Sequence, residues 1–429
     1  MAKPKLALIP AAQGSKFYSV LPSDGVGDFD FARASAATRI NKYGLIETVA
    51  SGQSRLNYPL IDGVVKGCPS HLLEPQRTNL VTNSSEFTGG LIGVSVLRDV
   101  EPSPDGNVSA DKLLDNSASG EHLINSNITL NMVSGTSYTC SAFFKSDGTG
   151  GQGVIRYYNG STFHYGVFNL ENGNVSYNSS GTSKIEEYPN GWYRCSISFT
   201  STGTYPNPPL QIGVGNALNQ FAYQGASNLS HYFWGVQAEQ GSYETSYIPT
   251  SGSQVTRVAE TANNSGDAST FNDSEGVLFA EISALANDGN FRLIGVSDGT
   301  NTNRLYVGYR NISNQIQCAV SVGGVQQMIM FDTISDVQSS IKVLVKYKTN
   351  DFALWINGFE VATDTSGITF PANTLNTATF SSGAGSSEFY GNVKQIQYFD
   401  STLNDSELET LTSWVSFQDM AEGQLYTIE

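Results

Sequence analysis

Apolar and polar residues alternate in many short runs with a period of two, the repeat of a half-buried strand, and almost nowhere with the repeat of a helix. Over 231–239, Tyr232, Trp234, Val236 and Ala238 fall on one predicted face. Over 342–348 the pattern recurs with Val343, Val345 and Tyr347 inward. Segments 138–144, 154–158 and 192–199 read as further strands, the first two separated by the glycine-rich turn 146–151. Segment 352–363 reads as a hairpin, with Asn357-Gly358 supplying the consecutive positive φ angles of a two-residue primed turn. A single helix is predicted over 404–414. Asn404 caps it, Glu407 follows at the capping-box position, and Leu408, Leu411 and Val415 share a face that would lie on the last sheet as a lid.

These runs predict an all-β chain: an N-terminal extended arm, a β-sandwich of the jelly-roll kind, and a second β-sandwich with a short C-terminal helix. A chain of 429 residues is long for one core, given roughly 100–200 residues per domain. Residues 1–86 carry turn residues every few positions and no sustained period, which reads as an extended arm with short strands, ordered by what it packs against. Residues 87–250 form the first sandwich, the Ser/Thr/Asn/Gly-rich stretch 251–264 a linker, and 265–429 the second sandwich with its helix and tail.

Composition narrows the function classes. A formal charge of −16 argues against nucleic acid, which is held by clustered Lys and Arg. Residues 1–86 hold nine Lys and Arg against seven Asp and Glu, the remainder fourteen against thirty-two, so the arm is mildly basic and the body acidic. The four cysteines have no CxxC spacing and read as isolated buried thiols of a protein made in a reducing cytosol. Cys140 and Cys195 lie in strand-like runs, and spacing leaves their pairing open. The first twelve residues are too short and too broken by Pro4 and Pro10 for a signal peptide, and no window approaches a membrane span.

Several separated blocks carry a resemblance. The first is Arg33-Ala34-Ser35-Ala36-Ala37-Thr38-Arg39-Ile40-Asn41, then Gly44-Leu45-Ile46-Glu47, then Leu72-Leu73-Glu74-Pro75-Gln76-Arg77-Thr78-Asn79-Leu80. Next come Gly191-Trp192-Tyr193-Arg194, Trp234-Gly235-Val236-Gln237-Ala238-Glu239, Thr245-Ser246-Tyr247-Ile248-Pro249-Thr250 and Val255-Thr256-Arg257. In this order they resemble tail, fibre and appendage proteins of bacteriophages, on a domain similar to carbohydrate-binding jelly rolls. Leu354-Trp355-Ile356-Asn357-Gly358 and Gly391-Asn392-Val393-Lys394-Gln395-Ile396 look like a concanavalin-A-like or laminin-G-like domain. The resemblance implies a virion-surface protein on tail or capsid, without cofactor or membrane insertion. It also implies a homo-oligomer, a trimer being expected, held to other virion proteins through the arm. Two roles compete: contact with host-surface polysaccharide, or structural decoration without sugar binding, with a polysaccharide-degrading tailspike as a third.

Candidate chemistry is sparse. Gly148-x-Gly150-x-x-Gly153 matches a dinucleotide fingerprint, but a strand follows where a helix is needed. Cys68 and His71 lack the further ligands or orienting partner that zinc or a nucleophile requires and read as packing residues. No catalytic or metal residue is assigned. There is no close acidic cluster on one strand and no Gly-x-Ser-x-Gly, while Asp405, Glu407 and Glu409 suit the first turn of the helix. Glu239 is expected at the surface, on the face opposite Trp234, and Glu281 is the outside candidate for an acid. Sugar recognition uses aromatic faces beside polar groups. Tyr157, Tyr158, Phe163 and Tyr165 flank the turn at Asn159-Gly160-Ser161, and Arg304, Tyr306 and Tyr309 follow the loop at Asp298-Gly299-Thr300-Asn301. Both sets are glycan-binding candidates, with sandwich core or subunit interface as the alternative. Trp192 and Trp234 are assigned to the core.

Overall fold

The computed structural model describes residues 2–415 and 417–424, and the expected tail over 425–429 lies outside them. Strands dominate, with two short helices near the C-terminus, Asp405–Ser413 and Phe417–Gly423, the second of which the sequence pattern did not reveal. No helix among the described residues is long and apolar enough to cross a membrane.

The first body is a sandwich of two six-stranded antiparallel sheets. One runs Gly90–Ile92, Leu123–Asn127, Pro209–Gly215, Gln152–Tyr158, Phe163–Asn169, Asn174–Asn178; the other Val94–Pro102, Val108–Asp115, Ser230–Gln240, Ser137–Ser146, Trp192–Thr200, Thr182–Tyr188. Sequence neighbours such as Gly90–Ile92 and Val94–Pro102 sit in different sheets, as a jelly roll requires. Strand alternation sends Ile155, Tyr157, Phe168, Leu210 and Ile212 into the space between the sheets.

Strand Ser230–Gln240 departs from simple alternation. Its pairing with Ser137–Ser146 shifts register opposite Ser141/Phe143, and Gly235 there has φ +63°. This is a β-bulge with a left-handed glycine. Phe233, Val236 and Ala238 consequently face the inter-sheet core, while Trp234 packs with Phe143, Trp192 and Tyr247 on the outer side. The bulge also turns Glu239 to the side of Trp234, so this residue, expected at the surface, is 1% exposed. Trp192 and Trp234 are buried as expected, but in this outer cluster.

The second body pairs a nine-stranded sheet with a five-stranded one. Strands Gly391–Phe399, Glu275–Ala284, Ile341–Lys348, Phe352–Ile356 and Phe359–Asp364 lie side by side in the larger sheet. Asn357 (φ +48°) and Gly358 (φ +90°) form the expected hairpin turn, with Ile356 opposite Phe359. Val343, Val345 and Tyr347 point into the core. Leu344, on the other face, is covered by the helix through Leu408 and Leu411. The capping box forms as read: Glu407 N donates to Asn404 Oδ1 at 3.1 Å, and Asn404 N donates back to Glu407 Oε2 at 3.2 Å. Val415 is 93% exposed, because the backbone leaves helical geometry at Trp414 before that position is reached.

Residues 2–86 do not form a projecting arm. Leu6–Leu8 and Ser70–Leu73 both pair antiparallel with Gly391–Phe399, completing the edge of the nine-stranded sheet. Leu6, Leu8, Phe17, Phe29 and Leu73 join the core of the second body. The physical reason is the long strand Gly391–Phe399, which one neighbour, Glu275–Ala284, satisfies on one side only. The stretch expected as a linker is likewise tied in: Val255–Arg257 pairs with Arg77–Asn79 and Thr261–Asn263 with Phe29–Ala32.

A buried ionic junction joins these segments. Glu260 receives Arg33 Nη1 at 2.7 Å and Arg55 through both Nε, at 2.9 Å, and Nη2. Glu74 receives Arg55 Nη1 and Arg257 Nη1, each at 2.9 Å, and the backbone N–H of Ser246 at 2.7 Å. All five charged side chains are within 2% of full burial. Three guanidiniums and two carboxylates compensate one another where water cannot, so each depends on the others.

Candidate functional site

The outward face of the first sheet of the jelly roll gathers the polar and aromatic groups. Alternation along Gln152–Tyr158 places Arg156 and Tyr158 outward and Tyr157 inward. Across the sheet, Tyr158 pairs with Phe163, and Arg156 with Tyr165 on one side and Gln211 on the other. Arg156 Nη1 donates to Glu121 Oε1 and Gln211 Oε1, both at 2.9 Å, and Gln211 Nε2 donates to Asn125 Oδ1 at 2.7 Å. The guanidinium lies over the Phe163 ring at 3.8 Å and the Phe221 ring at 4.8 Å. Stacking of this kind fixes a cation without enclosing it. Its Nε is buried without a partner.

Aromatic rings flank this polar centre on two sides. Tyr158 meets Phe163 at 5.3 Å and Tyr205 at 4.7 Å. Tyr165 stacks on Tyr177 at 5.1 Å and meets the edge of Phe221 at 4.9 Å. Tyr177 and Tyr205 are the exposed members, at 42% and 38%. Burial, with a hydrogen bond to Tyr177, raises the Tyr165 phenol above its usual range, so it remains a neutral donor. The result is a groove with amide, carboxylate and guanidinium groups between ring faces, an arrangement suited to holding a polyhydroxylated ligand.

The sequence candidates separate into three groups. Tyr158, Phe163 and Tyr165 meet around Arg156. Tyr157 is fully buried in the inter-sheet core, which corrects its expected exposure. Arg304 and Tyr306 lie on the second body. There Tyr306 is 7% exposed and packed with Leu293 and Ala319, and Arg304 Nη1 is engaged by Asn301 Oδ1 at 2.7 Å, so they present no open ring face. Tyr309 is buried, its hydroxyl donating to Ile282 O at 3.1 Å. Sequence reasoning missed Arg156, Gln211, Glu121, Tyr177, Tyr205 and Phe221. The alternation that separates Tyr157 from Tyr158 also marks Arg156 as outward; Tyr177 comes from the next strand, and Glu121, Tyr205, Gln211 and Phe221 from segments farther away along the chain.

On the opposite face of the same sheet, where it is paired with Tyr157 and stacked on Phe199, His164 joins Ser180 and Asn159 in an arrangement resembling a nucleophile–base pair. Asn159 Oδ1 accepts from Ser161 N at 3.0 Å and Thr162 N at 2.8 Å, which fixes its amide orientation. Its Nδ2 therefore donates to His164 Nε2, at 2.5 Å, leaving the neutral imidazole protonated at Nδ1, the atom facing Ser180 Oγ. A ring that donates to the serine does not withdraw its proton. Burial lowers the His164 pKa and favours that neutral form.

Other chemistry-bearing groups are committed elsewhere. Glu281 accepts from Gln395 Nε2 at 2.8 Å and Ser340 Oγ at 3.1 Å, with Lys394 and Lys342 at 3.5 and 3.7 Å. Burial raises the Glu239 carboxyl, and donors from Thr245 and Gln237 oppose the shift. Cys140, Cys195 and Cys318 are buried free thiols, and Cys68, expected to be buried, is exposed. His71 is buried against the Phe17 ring at 3.8 Å. Among the described residues no three His, Cys, Asp or Glu gather to hold a metal. A cleft of about 660 Å³ between the bodies is lined by Ser196, Ser198, Asn287 and Asp288. Its ammonium, Lys184, already binds Glu186 at 2.6 Å and Glu244 at 3.2 Å.

No family model and no curated protein matches the chain. Solved structures with a likeness include the CBM40 of Ruminococcus gnavus IT-sialidase, 19% identical over 34% of this chain and 86% of that one, with a TM-score of 0.30. Domains LG4-5 of the mouse laminin alpha1 chain are 10% identical over 74% and 96%, with a TM-score of 0.23. The binding domain of botulinum neurotoxin serotype G is 12% identical over 36% and 39%, with a TM-score of 0.27. The all-β assignment stands on the strand pairing described above.

Proposed function

We propose that this chain is a non-enzymatic, glycan-binding appendage of a bacteriophage particle, displayed on the virion surface as a homo-oligomer, with a trimer as the working form. The carrying observation for glycan binding is the Arg156–Gln211–Asn125 polar row set among Tyr158, Phe163, Tyr165, Tyr177 and Tyr205 on an outward sheet face. Rings supply apolar faces for sugar C–H surfaces, and the polar row supplies donors and acceptors for hydroxyls. The virion assignment is supported by the ordered sequence blocks, whose residues Arg33, Glu74, Ser246 and Arg257 meet in the buried junction. Those blocks thus specify how the segments are joined, and the ligand face lies outside them.

The test is binding of the full chain to bacterial cells and to a panel of their extracted surface polysaccharides, measured by surface plasmon resonance. Saturable binding is expected, reduced about tenfold or more by Tyr158→Ala and by Arg156→Ala, each equivalent to about 1.4 kcal/mol. Absence of saturable binding across the panel, or binding indifferent to both substitutions, contradicts the reading.

A further inference from the structure

We infer that the groove is built for a neutral oligosaccharide chain lying along the sheet, and that it discriminates against acidic sugars. This rests on the glycan-binding reading of the same face. Two observations carry it, one electrostatic and one geometric.

Arg156 is the cation of the groove, and an isolated guanidinium would favour a carboxylate. Here Glu121 already occupies one side of it at 2.9 Å, with 37% of the Glu121 side chain open to solvent. A ligand carboxylate arriving at Arg156 would therefore meet Glu121 as well, leaving an excess negative charge over a chain already at −16. A hydroxyl or an acetamido carbonyl accepts from the guanidinium without that repulsion. Both protein acceptors are taken by Nη1, and Nη2 engages neither, so the fork is not saturated and a neutral acceptor has a donor left to engage.

The exposed rings set the length. Tyr158 and Phe163 form one outward row, Arg156 and Tyr165 the next, and Val167 opposite Tyr177 the row after that. Successive outward rows along a strand are about 7 Å apart, which puts the level of Tyr177 about 13 Å from that of Tyr158 and its neighbour Tyr205. One sugar ring covers one platform; a chain covers both, with Arg156 between them. Extended occupancy also suits an open face better than a closed pocket.

The experiment is titration calorimetry of the full chain with N-acetylglucosamine and glucose oligomers, from mono- to hexasaccharides, and with oligogalacturonates of matched length. Neutral chains are expected to bind more tightly as they lengthen toward the size that spans both platforms, and to exceed the oligogalacturonates throughout. Tyr177→Ala and Tyr205→Ala should each weaken the long chains by about tenfold, and Glu121→Gln should raise the acidic-to-neutral affinity ratio by about tenfold. Circular dichroism melting of each variant separates lost binding from lost folding. Wild-type preference for oligogalacturonates, or affinity independent of length, with binding still abolished by Arg156→Ala, overturns this inference and leaves glycan binding standing. No binding of any oligosaccharide of either class overturns this inference, and no binding across the surface-polysaccharide panel as well overturns both.

Discussion

Glu74 shows how much of this fold depends on single side chains. Burial alone would raise its carboxyl. Arg257 and Arg55, with the two donors of Ser246, outweigh burial and hold it at about 2, against an ordinary 4.5. Because the folded-state value is depressed, the associated stability is present in full above the unfolded value and is lost as pH falls from about 4.5 through about 2. The shift corresponds to on the order of 3 kcal/mol. Glu74→Gln leaves Arg55 and Arg257 buried with one carboxylate fewer, so a loss of about 3–5 kcal/mol is expected in urea unfolding at neutral pH. Its stability should also fall less than that of the wild type between those two pH values. An unchanged midpoint, or an identical acid profile in the variant, contradicts the account of the junction. At the same scale, Tyr158 differs from Tyr157 only in strand parity, and parity decides that the first lies on the outer face with Arg156 while the second fills the core.

Among the elements, strand Ser230–Gln240 departs most from its sequence pattern. Unbroken alternation puts Trp234, Val236 and Ala238 on one face and Glu239 on the other; the bulge at Gly235 divides the first set and buries the acid. The signal was present, since glycine within an otherwise regular strand often marks a bulge. An added Cβ at Gly235 would sit 2.9 Å from the Phe143 ring at a φ of +63°. Gly235→Ala is therefore expected to cost about 1–3 kcal/mol in chemical unfolding, from left-handed strain and the contact together. A neutral substitution would show that the bulge is not required. The capped helix and the Asn-Gly hairpin were legible because their determinants are local: Asn404 with Glu407, and Asn357 with Gly358. Leu6–Leu8 and Ser70–Leu73 were not, because strands of three and four residues show too little alternation, and their partner lies over 300 positions away.

For the whole molecule, the N-terminal segment extends the second body's sheet, and the buried junction ties it to Arg257 and Glu260 of the connecting stretch and to Ser246 at the end of the first body. The jelly-roll face around Arg156 is left open to solvent, away from the cleft between the bodies that Lys184 and Glu244 line. About a third of the candidate groove was readable, from the run containing Tyr158, Phe163 and Tyr165. Gln211, Phe221 and Glu121 reach it only through sheet order and loop placement, which no local pattern encodes. The central claim is that ligand is held on this face, and hydrogen–deuterium exchange of the full chain tests it most directly. Exchange is compared with and without the tightest-binding neutral oligosaccharide. Protection is expected across 152–165, 174–178 and 205–223, with Arg304–Tyr309 and the cleft around Lys184 and Glu244 unchanged. Protection at either of those places, with none on the jelly-roll face, would contradict it.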